Sequence, residues 1–310
     1  MLSIHLSFVV MIYLELDFGC MENSEITDPV FRDAVEAIGS GNISRLKKLL
    51  QDDPQVVSKR LDVPTEGYFQ HPYLLWFVAD NPIRHDRLPS NIAEITRLLI
   101  DGVRQNARAS FQEQIDYTLG LVATGRIPKD SGVQIELIDL LIDAGARPGN
   151  GHGALAHGNR EAAQRLMERG GKLTLTTAIG LDRKEDIERL LRQATAEEKQ
   201  IALIASAYLG KPAMIRDLIN SGVDVNTYID PSSGFHSHAT ALHQAVYSGS
   251  LDSVKILVEA GANLNLEDRV YQGTPLGWAR YLQKEEKDES RKEKYSQIEK
   301  FLLTLNSKNT

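Results

Sequence analysis

The sequence predicts an all-α solenoid of about eight helix-turn-helix units joined by short β-hairpin links. Three observations lead there. Segments of the chain align with one another at near-constant spacing. Each copy carries apolar residues at helical spacing. A glycine recurs where the second helix of a copy must stop. Such periodicity is sought before any catalytic motif, because missing it mis-assigns the whole fold.

The bulk properties fit this class. The chain has 310 residues, 42% apolar and 25% charged, with a formal net charge of −7. That charge argues against a general binder of nucleic acid or acidic lipid, which needs a basic face to displace counterions. The single cysteine, Cys20, rules out an intramolecular disulfide framework and a multi-cysteine zinc site.

Residues 1–20, MLSIHLSFVVMIYLELDFGC, are expected to be an over-extended start or a leader. Their apolar run is interrupted by Ser3, His5 and Ser7 and is shorter than the roughly 20 residues of a bilayer span. A basic n-region and a small-x-small cleavage site are both missing. Gly19-Cys20 resembles a lipoprotein cleavage box, with Asp17 where that box wants an apolar residue. Met21 opens a more typical soluble start, and residues 21–308 are read as a single repeat array.

The strongest copies lie at 201–283. Leu242 and Leu276 are 34 residues apart, joining TALHQAVYSG to TPLGWARYLQ, and ALIASAYLG (202–210) matches ALHQAVYSG (241–249). The second helices align as MIRDLINSGVDVN (214–226) with SVKILVEAGANLN (253–265), where Val254, Leu257 and Val258 share one face. LIDLLIDAGARP (137–148), AQRLMERGGKL (163–173) and EITRLLIDGVRQN (94–106) keep the same phase; 43–55 and 186–198 keep the helix and lose the glycine. Units are expected to begin near Pro29, Tyr73, Tyr117, Gly151, Thr176, Ile201, Thr240 and Thr274. Gly145, Gly170, Gly222 and Gly261 mark helix ends. Helices this short are marginal alone in water, so the units must stack to bury their faces.

Extra residues enter between the helices of three units, at 81–91, 126–134 and 284–294. The last is a charged insertion, and 295–308 reads as a C-terminal cap helix with Ile298, Phe301, Leu302 and Leu305 on one side.

Thr274-Pro275-Leu276, Thr240-Ala241-Leu242-His243, Gly249-Ser250-Leu251 and Gly261-Ala262-Asn263-Leu264-Asn265 together resemble ankyrin repeats. The match is strong for 201–283 and weaker but in phase over about 28–200. Ala241 replaces the usual proline, and Gly277 stands where a histidine is usual. The tetratricopeptide repeat has a similar period but lacks the glycine-then-hairpin link.

The resemblance implies a non-catalytic, cytoplasmic scaffold, a monomer without cofactor that binds an unidentified protein on its concave surface. Regulation or neutralisation of a partner enzyme is the finer expectation. It also implies that Thr240 and His243 tie a helix start to its neighbour. Tyr208, Tyr247 and Tyr281 occupy one position in three consecutive units and are expected on the concave side. The link NTYIDPSSGFHSH (226–238) is longer than its counterpart and offers Tyr228 and Phe235 as exposed recognition residues, with Arg269 and Tyr271 on the next hairpin. Trp278 suits core or groove, and Trp76 suits core.

The sequence also offers two other classes. His236 and His238 lie at alternate positions of an extended segment and so share one face, but two histidines make an incomplete zinc site for a metal-dependent hydrolase. A membrane-tethered lipoprotein scaffold depends on lipidation of Cys20. No HExxH, Gly-x-Ser-x-Gly or Gly-Lys-Ser/Thr phosphate loop occurs in the sequence.

Overall fold

The computed structural model describes residues 23–61, 71–81, 83, 85–230 and 233–306. Residues 1–20, with Cys20, lie outside the described residues, as do Met21, Pro231 and Ser232. The chain divides into two compact units between Lys172 and Leu173.

Unit one begins with α1 (Pro29–Gly39) and α2 (Ile43–Asp52). Asp28 caps α1 by accepting from the N–H groups of Val30 (2.9 Å) and Phe31 (3.2 Å), and Pro29 occupies the first turn. A 3-10 helix, Leu74–Ala79, pairs with α3 (Ile92–Asn106), and α4 (Phe111–Thr124) pairs with α5 (Arg126–Asp130) and α6 (Gln134–Asp143). The last pair is α7 (His152–Ala156) with α8 (Arg160–Glu168). First helices stack as α1, Leu74–Ala79, α4 and α7; second helices stack as α2, α3, α6 and α8. Trp76 is buried, stacked on Tyr117 (ring centroids 3.9 Å apart) and met edgewise by Tyr73 at 5.6 Å.

Unit two repeats the arrangement. Its pairs are α9 (Leu175–Gly180) with α10 (Lys184–Gln193), α11 (Ala196–Tyr208) with α12 (Pro212–Asn220), α13 (Ala241–Tyr247) with α14 (Leu251–Glu259), and α15 (Pro275–Glu285) with α16 (Glu289–Asn306). First helices α9, α11, α13 and α15 stack in a row, while α12, α14 and α16 stack beside them. Each first helix therefore meets its own partner and its neighbouring first helices within the unit. The core is that shared apolar seam, with Leu203, Leu218, Leu242, Leu257 and Ile298 all fully buried.

Most predicted boundaries fall within a few residues of the helices, and three move further. The third unit starts at Phe111 rather than near Tyr117. The segment 186–198 is not one helix: α10 ends at Gln193 and Thr195 starts α11. The cause is a capping box, with the Glu198 N–H donating to Thr195 Oγ1 (3.1 Å) and the Thr195 N–H donating to Glu198 Oε2 (2.9 Å). The charged segment 284–294 is largely helical, because Asp288 caps α16 through the Arg291 N–H (2.9 Å). The cap helix thus starts at Glu289, and Tyr295, Ile298 and Leu302 are its buried residues, with Phe301 and Leu305 half-buried.

The links are turns held by side chains. Among the described residues the only β pairing is an isolated bridge between Arg60 and Tyr73. Asn226 joins successive links, accepting from the Asn263 N–H (2.7 Å) and donating to the Gly261 carbonyl (3.1 Å). Gly222 and Gly261 have φ of 87° and 88°, left-handed values that disfavour any side chain. Among the described residues no helix is long and apolar enough to cross a membrane.

Candidate protein-binding face

In unit two, α11 and α13 each end on a tyrosine. Because these helices pack side by side, the rings of Tyr208 and Tyr247 stack, 5.4 Å apart and inclined by 13°. Both are half-buried. Tyr281, also half-buried, lies on α15, the next first helix.

The long link does not project as an exposed loop. Phe235 is only 4% exposed, which corrects its expected place on the surface. Its ring packs edgewise on Tyr208 at 5.6 Å, so an aromatic side chain in a turn found a better environment than water. Ile229 is buried too, and the Tyr228 hydroxyl donates to the Glu267 carbonyl (2.6 Å). His236 meets the edges of Tyr208 (5.4 Å) and Tyr247 (5.1 Å).

His236 and His238 do share a face, their rings 5.8 Å apart. Beyond it, His238 packs on Tyr271 and Trp278. Burial holds His238 below the ordinary histidine range, against the pull of the Asp268 charge. Among the described residues, no three His, Cys, Asp or Glu side chains are grouped to hold a metal ion.

The tip at 266–273 is organised by Asp268, 1% exposed. Its carboxylate accepts from the N–H groups of Val270 (2.9 Å), Tyr271 (2.6 Å) and Gly273 (3.0 Å), and from Trp278 Nε1 (2.9 Å). These donors replace the water a buried carboxylate loses. Trp278 is therefore core, 1% exposed and anchored through its indole N–H. A Cβ at Gly273 would sit 3.0 Å from that indole, tighter than ordinary contact, so a side chain there would have to shift the ring. The tip thereby presents Val270, 53% exposed, beside Arg269, whose guanidinium lies 4.1 Å above the Tyr228 ring.

His243 ties α13 to this tip. Its Nε2 donates to the Gly273 carbonyl (2.9 Å), and its Nδ1 accepts from the Thr240 hydroxyl (2.8 Å) and N–H (3.3 Å). Burial pushes its pKa down to about 4, although the Gly273 carbonyl and the Asp268 charge favour the cation. Thr274 caps α15 through the Gly277 N–H (3.2 Å).

Sequence reasoning missed Val270, Gln244 and Asp268. Asp268 carried a signal: an aspartate followed by a glycine-containing turn can accept from the backbone two and three residues on. Val270 carried none, because its exposure depends on that turn.

Paired helices stacked in two rows, with links turned at left-handed glycines, define a helix-pair repeat scaffold. Residues 130–268 match the family model of ankyrin repeats (3 copies). Ankyrin repeat and SOCS box protein 6 of Mus musculus is 37% identical over 78 residues, covering 25% of this chain and 18% of that protein. Neurogenic locus notch homolog protein 1 of Cricetulus griseus is 29% identical over 140 residues, covering 40% of this chain and 5% of that protein. The chain thus spans less than a fifth of either relative. An ankyrin repeat domain from Acinetobacter baumannii AYE is 25% identical, with a TM-score of 0.33, covering 61% of this chain and 97% of that one. Over residues 130–268 the chain is therefore similar to ankyrin repeats.

Proposed function

We propose that this chain is a non-catalytic scaffold that binds a partner protein through the aromatic face of unit two. Ankyrin repeats are in general protein-binding modules, and the observation that carries the reading here is the half-exposed Tyr208–Tyr247 stack. Paired rings fixed at helix ends offer broad contact area with little rotamer entropy left to lose. Tyr281 on one side, and Tyr228, Arg269, Val270 and Tyr271 on the other, extend the surface. Phe235 supports it from beneath. Binding there would occlude the partner's own surface, which suits regulation or neutralisation of an enzyme. A cytoplasmic location belongs to the same reading, since a chain with one cysteine draws no intramolecular disulfide from an oxidising compartment.

The test is capture from a lysate of the source cells with the full chain as bait, beside a Tyr247→Ala variant, with proteins identified by mass spectrometry. A protein retained by the parent and lost from the variant is expected. Equal capture by both would move the site away from the tyrosine stack.

A further inference from the structure

The link between α12 and α13 occupies the very groove it was expected to border. From Phe235 to Ala239 it runs back along α13. At the far end Phe235 and His236 pack on Tyr208, the last residue of the neighbouring α11. Midway, Gln244 Nε2 donates to the His236 carbonyl (2.9 Å). At the near end the chain turns into Thr240, which begins α13. With this cover in place all six residues from Ala241 to Val246 are buried, the polar His243 and Gln244 among them.

The occupant fits its groove poorly. Phe235 has φ of 35°, in the region that side-chain-bearing residues avoid. On the groove side Gln244 Oε1, and on the segment itself His238 Nε2, are buried without a hydrogen-bond partner among the described residues. Buried acceptors are normally paired, and each unpaired one disfavours the closed arrangement. An aromatic residue held at a strained angle, in a segment that leaves Gln244 Oε1 unpaired, is an arrangement that a better ligand would improve.

We infer that residues 233–239 are a resident stand-in for the ligand, and that the groove takes an extended partner peptide bearing one aromatic side chain. That side chain enters the corner beside Tyr208 and Tyr247 now filled by Phe235. A peptide N–H group supplies the donor that Gln244 Oε1 lacks, and the resident segment is displaced. This rests on the reading of the same face as a protein-binding surface. It adds the ligand's chemistry and the competition that sets its apparent affinity, since a ligand that must displace a resident segment binds more weakly by the fraction of time the groove is open.

The probe is a fluorescein-labelled peptide of residues 226–239, NTYIDPSSGFHSHA, titrated by anisotropy against the full chain and its Phe235→Ala variant. The variant vacates the aromatic corner, so it is expected to bind the peptide at least tenfold more tightly than the parent. The same peptide with alanine in place of its phenylalanine should show no such gain. Equal binding of both peptides, or none, by a folded variant overturns the proposal. If the variant loses its helical signal, hydrogen exchange of the parent decides instead. The amides of Ala239 and Arg269, bonded to His236 and His238 carbonyls, should exchange at least 100-fold faster than those inside α13. Equal rates would make the segment permanent core and overturn the displacement. Partner capture lost in Tyr247→Ala with no peptide binding would remove the stand-in alone. Peptide binding with capture unchanged in Tyr247→Ala would keep the groove and remove the functional reading.

Discussion

His243 shows how one side chain serves two elements and makes unit two sensitive to acid. It is fully buried as the neutral ring that donates to Gly273 and accepts from Thr240. Unfolded, it would titrate near 6.5; folded, near 4. Below pH 6.5 the unfolded chain therefore takes up a proton that the folded chain refuses. Stability should fall with pH through that window, by up to about 3 kcal/mol, and level off below about 4. A histidine NMR titration should place the His243 midpoint near 4, and a midpoint near 6.5 would refute its burial. His85 in unit one has the opposite sign. The hydrogen bond it donates to the Asp80 carboxylate holds it above the ordinary range, outweighing partial burial, so its contribution is complete below about 6.5 and fades as pH rises through the raised value. Phe235 marks the limit of reading at this scale. Its neighbours in sequence, Pro231 to Gly234, are turn residues, and nothing in them reveals that Tyr208 lies within reach. Phe235→Ala should cost about 3 kcal/mol, the lower end for a buried phenylalanine. Tyr247→Ala, half-exposed, should shift the melting temperature by only a few degrees. A neutral Phe235→Ala in thermal melts would show the link to be loose.

At the scale of elements, the second helices were the most legible part of the chain. Apolar spacing placed Val254 and Leu257 on the buried face of α14, and both are fully buried, whereas Val258 is half-buried and Ile256 is the better-covered neighbour. Leu257→Ala should destabilise unit two by roughly 2–5 kcal/mol in denaturant titrations, because the helices on either side cannot collapse into the space. Gly222 was legible for a different reason. No atom lies within 4 Å of a Cβ built there, so the glycine answers to its φ of 87° and not to crowding. Gly222→Ala should therefore cost about 1 kcal/mol without repacking anything. Helix ends set by polar side chains were harder to read. Thr195 with Glu198 divides what looks like one continuous helical stretch, and Asp288 turns a charged insertion into the first turn of α16. Apolar periodicity is blind to both, since it records which residues face the core and not where backbone groups find partners.

Across the whole molecule, repetition made the fold class legible and left the partner unreadable. Eight expected units correspond, among the described residues, to four pairs of helical segments in each compact unit, and within a unit the pairs bury their seams by stacking on one another. The proposed binding face has no such redundancy. Tyr208 and Tyr247 stand out in the sequence because they recur at one repeat position, while Val270, Gln244 and the inward fold of 233–239 depend on contacts made once. The central claim is that the Tyr208–Tyr247 stack engages the partner. Its most direct test is calorimetric titration of the captured protein into the full chain, into Tyr247→Ala, and into Lys255→Ala on the neighbouring helix α14. The expected result is at least a tenfold loss of affinity for Tyr247→Ala, with Lys255→Ala within twofold of the parent and all three melting within a few degrees of one another. Equal affinity for the parent and Tyr247→Ala would contradict the claim.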